Sequence, residues 1–178
     1  MAQINKPNLH FNTKLYTGTG SSNAITGVGF QPDWVWIKNR SINANHHLFD
    51  VIRGVTKDII SNSTNGEATD AQKLTAFGAD GFTVGTNGNV NGNGNNIVSW
   101  NWKAGGTASA NTDGDINSTV SANQTAGISI VKYTGSGSAQ TVGHGLNAVP
   151  KLIIVKRIPG NGYDWVVYHK NKTAGLYL

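Results

Sequence analysis

The sequence predicts an all-β protein, an antiparallel β-sandwich or jelly roll that carries a partial second repeat of its own module, and three observations lead there. The chain has 178 residues with 23 Gly, heavy use of Asn and only 13% charged residues, which is the composition of tight turns rather than of helices. Short apolar runs recur at intervals of roughly 8 to 15 residues with turn signals between them, a spacing that fits a sandwich better than a βαβ arrangement. The stretch from Tyr16 to Arg40 (YTGTGSSNAITGVGFQPDWVWIKNR) is then written again from Tyr133 to Arg157 (YTGSGSAQTVGHGLNAVPKLIIVKR), with the same displacement at both ends.

In chain order, residues 1–10 are polar and interrupted by Pro7, so they read as an N-terminal arm. The first module covers 11–105. It opens on a strand from Phe11 to Tyr16, passes through turn chemistry at Thr17 to Asn23, and continues in a Gly-punctuated strand from Ala24 to Phe30. In Trp34 to Lys38, the residues Trp34, Trp36 and Lys38 point to one face and Val35 and Ile37 to the other. Apolar residues on both faces mean a central strand. Further strands are expected at His46 to Ile52, Val55 to Ser61, Leu74 to Phe77, Gly81 to Val84 and Ile97 to Trp102. The run Asn87 to Asn96 (NGNVNGNGNN) is built for positive φ and reads as a long hairpin tip.

Residues 106–126 carry hardly any large apolar side chain besides Ile116 and Val120, and read as a polar linker. The second copy covers 127–178, with strands at Gly127 to Tyr133, Val149 to Arg157 and Tyr163 to His169. It is shorter than the first, so its sheet edges are expected to be paired either by the first module or by another chain.

Composition excludes several functions. There is no Cys, so neither a disulfide framework nor a Cys-based metal site exists. The amino terminus has no signal-peptide pattern and no apolar run is long enough to span a bilayer, so neither secretion by a signal of its own nor membrane insertion is expected. The net charge of +5 comes from singly spread basic residues, with Lys38 and Arg40, and Lys156 and Arg157, as the tightest pairs at strand ends. That is the pattern of solvated strand termini, and nucleic-acid binding is not expected.

Motif by motif, structure is a better account than chemistry. Asp113-Gly-Asp115-Ile-Asn117-Ser118 imitates the start of a calcium loop but lacks its sixth-position Gly and twelfth-position Glu. Gly143-His-Gly145-Leu-Asn-Ala148 matches a dinucleotide string but leads into a strand instead of a helix. His46 and His47 are adjacent on a strand and point to opposite faces, which gives a solvent-facing His beside a core one. Among nine acidic residues, Glu67 is the only Glu, and nothing in the spacing brings two carboxylates together for acid–base work. No catalytic, metal or cofactor residue is assigned. The candidate ligand residues are Trp34, Trp36, Trp100, Trp102 and Trp165, whose rings suit stacking against sugars. For Trp34 and Trp36 the favoured assignment is nevertheless the core, since two Trp at period two beside Val and Ile usually pack inward and Leu152 and Ile154 stand in the matching positions of the second copy.

The strings YTGTG, ITGVGFQPDWVWIKNRS, HHLFDVIRG, LTAFGADGFTVG and NIVSWNWKAGG resemble a repeat module in virion proteins of marine tailed bacteriophages, including phages of cyanobacteria, and VGHGL with PKLIIVKR and DWVVYHK resembles the next module of the same proteins. The resemblance implies a Gly- and Asn-rich concanavalin- or laminin-G-like sandwich. It also implies a non-enzymatic structural role on the phage particle, as a tail-fibre or host-attachment appendage or as a capsid-decorating protein. The partners implied are other virion proteins and further copies of the chain, a trimer being favoured. A host surface glycan is the candidate ligand of the alternative, lectin-like function.

Overall fold

Alternation in Trp34 to Asn39 does what period two requires: Val35, Ile37 and Asn39 are buried on one face while Trp34, Trp36 and Lys38 are half-buried on the other. The computed structural model describes residues 4–171, so the first three residues of the arm and the last seven of the second copy lie outside the described residues. After a single 3₁₀ turn at Pro7–Leu9, the first module contributes nine strands: β1 (Phe11–Thr17), β2 (Asn23–Ile25), β3 (Trp34–Asn39), β4 (His46–Asp50), β5 (Lys57–Ile60), β6 (Ala68–Thr69), β7 (Leu74–Gly78), β8 (Gly81–Val84) and β9 (Asn96–Trp102). A single helical turn, α1 (Gly88–Asn91), precedes β9, and the chain continues through β10 (Ser109–Asn111), β11 (Ser118–Asn123), β12 (Ile128–Tyr133), β13 (Leu152–Lys156) and β14 (Trp165–His169).

The protein is all-β and antiparallel. A six-stranded sheet of order β1-β9-β3-β4-β5-β6 faces a three-stranded sheet of order β2-β8-β7. Strand β3 is central, between β9 and β4, as apolar residues on both its faces require. The core lies between the sheets: Val35, Ile37, Phe49 and Ile97 from the large sheet meet Ile25, Leu74, Phe82 and Val84 from the small one. Tyr16 joins them with its ring edge-on to Phe82 at 6.2 Å. Its hydroxyl donates to the Val90 carbonyl at 2.7 Å, and burial pushes its pKa well up. Within the small sheet, β2 and β8 approach closely where β8 begins, since a Cβ on Gly81 (φ +151°) would stand 1.9 Å from the Ile25 carbonyl oxygen.

Three expectations need correction. The strand expected from Ala24 to Phe30 ends at Ile25, because Gly27 and Gly29 take positive φ and donate their N–H groups to the Asp80 carboxylate at 2.8 and 2.6 Å. Those bonds lower the Asp80 pKa. The Asn87 to Asn96 run is not a hairpin tip: it connects β8 and β9, which belong to different sheets, and folds inward through α1 with Val90 and Asn91 fully buried. The expected linker at 106–126 contains β10 and β11, which pair with β12 in a separate three-stranded sheet. Two of its small polar residues are buried, Ser118 at 6% and Ser121 at 2% exposure beside Val120, while most of the others face solvent.

The repeat is reproduced in three dimensions at the level of register. In the first module Trp34 faces Asp50 and Lys38 faces His46; in the second, Leu152 faces His169 and Lys156 faces Trp165. Ile153 and Val155 therefore stand where Val35 and Ile37 stand, but they are 42% and 37% exposed instead of 0%. Tyr133, the counterpart of Tyr16, is likewise exposed. Among the described residues β13 pairs only with β14, and no strand takes the place that β9 takes beside β3. The hairpin is tied to the first module through the 60–67 segment: Trp165 Nε1 donates to the Ile60 carbonyl (3.0 Å), Glu67 N to Ile158 O (2.8 Å) and Gly66 N to Asn161 Oδ1 (2.9 Å).

Candidate functional site

The outer face of the six-stranded sheet gathers four of the five tryptophans. Register sets Trp34 opposite Trp102 and Trp36 opposite Trp100 across β3 and β9, and Phe11 opposite Trp102 across β1 and β9. Cross-strand pairs on one face bring rings into contact. Trp34 and Trp102 stack with centroids 4.5 Å apart at 27°, Phe11 leans on Trp102 at 4.9 Å, and Trp36 meets Trp100 edge-on at 6.0 Å. The strip is half-buried, and exposed Phe11 and Leu15 extend it to the β1 edge of the sheet.

His46 closes the other end. Its Nδ1 accepts from Trp36 Nε1–H at 2.9 Å, which requires a lone pair on that nitrogen. Desolvation, then the nearby Lys38 and His47, lower its pKa and keep that lone pair free. Trp34 and Trp36 thus belong neither to the core cluster nor to open solvent. The strip is a semi-rigid aromatic surface of the kind that stacks on sugar rings or on another apolar sheet.

Trp165 is not part of it. The ring belongs to β14, with its indole N–H on Ile60 O and Lys156 Nζ 5.8 Å from its centroid. Together with Asp164 and Ser61 to Thr64 it lines an open, mainly polar cleft of about 460 Å³ at the junction of the two copies. A second cleft, about 540 Å³, lies between the first module and the β10–β12 sheet and is lined by Gln31, Asp33, Lys103 and Gln124 among others.

Most of the acidic side chains are engaged with partners. Asp50 and Glu67 are bridged by Arg53 at 2.5 and 3.4 Å. Asp115, from the string that imitates a calcium loop, accepts the Thr141 N–H and hydroxyl at 2.9 and 2.7 Å, which lowers its pKa. His47, as its place on the strand predicts, is buried on the inner face while His46 sits on the outer.

Spacing did not reveal that His47 meets two further buried groups. Its Nδ1 lies 2.9 and 3.1 Å from the Asp58 carboxylate oxygens, and Lys73 Nζ is in contact with Asp58 Oδ2. Asp58 and His47 are each 1% exposed and Lys73 8%. The one signal available in sequence was an Asp inside the otherwise apolar end of Lys57-Asp58-Ile59-Ile60.

No curated protein and no solved structure matches the chain. The model of a domain of unknown function, DUF7483, matches residues 6–177, which takes in both copies of the repeat together with the β10–β12 sheet between them. The chain belongs to the DUF7483 family.

Proposed function

We propose that this protein is a non-enzymatic structural component of a bacteriophage particle, a tail-fibre or host-attachment appendage that assembles with further copies of itself by strand pairing. A capsid-decorating position would use the same assembly at another place on the particle. Resemblance to virion modules supports the setting, and one structural observation supports assembly by strand pairing. The β13–β14 hairpin keeps the register of β3–β4 while Leu152, Ile153, Ile154, Val155, Val166 and Tyr168 are 37–53% exposed on both faces.

Contiguous apolar surface of that kind marks an interaction site, and a strand with an open edge is a template for pairing. Light scattering on the purified chain is expected to give a multiple of 18.8 kDa, a trimer being favoured. Ile154→Lys, which puts a charge in the exposed strand without touching the first module's core, is expected to weaken association at least tenfold. A wild-type chain that stays monomeric at high micromolar concentration overturns the assembly reading.

A second function, glycan binding, is favoured by the half-exposed Trp strip beside Thr13, Lys38 and His46. Sugars stacking on Trp34 and Trp102 would change indole emission. A host polysaccharide of the right structure is expected to shift it, with Trp34→Ala lowering the affinity about tenfold, a loss on the order of one stacking contact. Unchanged fluorescence across a broad panel of polysaccharides counts against this second reading.

A further inference from the structure

The buried cluster of His47, Asp58 and Lys73 belongs neither to the exposed hairpin nor to the Trp strip, and it joins the two sheets of the sandwich. Asp58 lies on β5 in the six-stranded sheet; Lys73 immediately precedes β7 in the three-stranded one. The Lys73 backbone is held at both ends, its N–H donating to Asp70 O at 3.3 Å and its carbonyl accepting from Gly85 N at 2.7 Å. That places Nζ on Asp58 Oδ2, with Asp70 Oδ2 3.9 Å from the same nitrogen. On the far side of the Asp58 carboxyl, His47 Nδ1 reaches both oxygens, and His47 Nε2 is buried with no hydrogen-bond partner. The next residue, Leu74, and Phe49, two along from His47, are fully buried members of the core.

An amine held against a carboxyl in an apolar interior, with a hydrogen-bond donor on the carboxyl and a carboxylate beside the amine, is the set of groups that amide formation needs. We propose that Lys73 and Asp58 condense to an intramolecular isopeptide bond that fastens the two sheets together. Asp70 takes a proton from the Lys73 ammonium, freeing the Nζ lone pair to attack Asp58 Cγ. His47 Nδ1–H stabilises the charge that develops on the carboxyl oxygen. The Nζ–Cγ bond forms and the Cγ–Oδ2 bond breaks. Of the three ammonium protons, one stays on the amide nitrogen; the one Asp70 took is returned to Oδ2, a second follows it from the nitrogen, and Oδ2 leaves as water with Asp70 again a carboxylate.

The positive charge of the ammonium and the negative charge of the carboxylate cancel, so no oxidant, reductant or external group is required. Fixed proximity supplies the rate. The product also replaces two buried charges, which are costly to keep out of water, by one neutral amide. A chain with no cysteine gains in this way a covalent link between its sheets.

Intact mass spectrometry on the folded full-length chain tests this directly. The mass is expected to fall below that of the sequence by one water, about 18 Da for a condensation of this type. Digestion should give a branched peptide joining the segments that hold Asp58 and Lys73, with no tryptic cut after Lys73. The mass deficit should vanish in Lys73→Met and in Asp58→Ala. His47→Gln should leave most of the chain unlinked, a tenfold or greater loss in the rate of linkage. A full-length mass equal to that of the sequence, or a lost water that maps to a succinimide at Asp80-Gly81 or Asp113-Gly114, overturns the proposal. The wild-type measurement decides by itself, so a variant that fails to fold leaves the conclusion intact.

Discussion

Replacing Asn91 by alanine is expected to lower folding stability by about 3 to 5 kcal/mol, the sum of several buried polar groups each left without a partner at about 1 to 3 kcal/mol. Asn91 is fully buried at the end of α1. Its Oδ1 accepts from Thr19 N at 2.9 Å and Asn23 Nδ2 at 3.1 Å, and its Nδ2 donates to Gly85 O at 2.6 Å and to Ser21 O. One side chain thereby holds the β1–β2 turn, the end of β8 and α1 together. Urea denaturation of the two proteins checks this, with a lower midpoint at an unchanged slope as the expected result. A cost below about 1 kcal/mol would mean that water enters and replaces these bonds.

Phe49→Ala is expected to cost about 3 to 5 kcal/mol, the usual range for deleting a buried aromatic ring. Phe49 is, with Phe82, the largest fully buried side chain among the described residues, opposite Val35 on the central strand and in one cluster with Leu74 and Val84 of the facing sheet. The cavity lies between two rigid sheets, which have little freedom to collapse into it. Thermal unfolding is the measurement. The matching Tyr168→Ala in the second copy should cost well under 1 kcal/mol in a dilute monomer, because Tyr168 is 40% exposed. Equal costs at the two positions would mean that the second hairpin is covered in solution even when the chain is alone.

The contrast between those two residues shows how far local pattern reaches. Period-two alternation located β1, β3, β4, β9 and β12 within a residue or two, because which face a strand residue takes follows from backbone geometry alone. The two copies share that alternation, and the hairpins built from it share their register. Burial differs because it depends on what packs on the face. Val35 has the β2-β8-β7 sheet above it and β9 beside β3, whereas Ile153 has neither among the described residues.

The Trp residues divided in the same manner. Their alternation with Val35 and Ile37 was legible, and so was the central place of β3. That four of them form one strip needed the pairing of β3 with β9, which lie some sixty residues apart in the chain. Trp165, equally aromatic in sequence, ended in a different cleft.

The positions of β1, β3, β4, β9 and β12, the repeat and the opposite faces of His46 and His47 were thus determined by the sequence itself, since each rests on interactions between near neighbours in the chain. Tertiary structure alone decided that the polar Asn-rich run turns inward, that the supposed linker pairs as strands, and that His47, Asp58 and Lys73 meet. A polar residue is buried only where the folded surroundings complete its hydrogen bonds or its charge. For Asn91 those partners are Thr19, Ser21, Asn23 and Gly85, and for Asp58 they are His47 from the neighbouring strand and Lys73 from the facing sheet, groups that only the tertiary fold brings together.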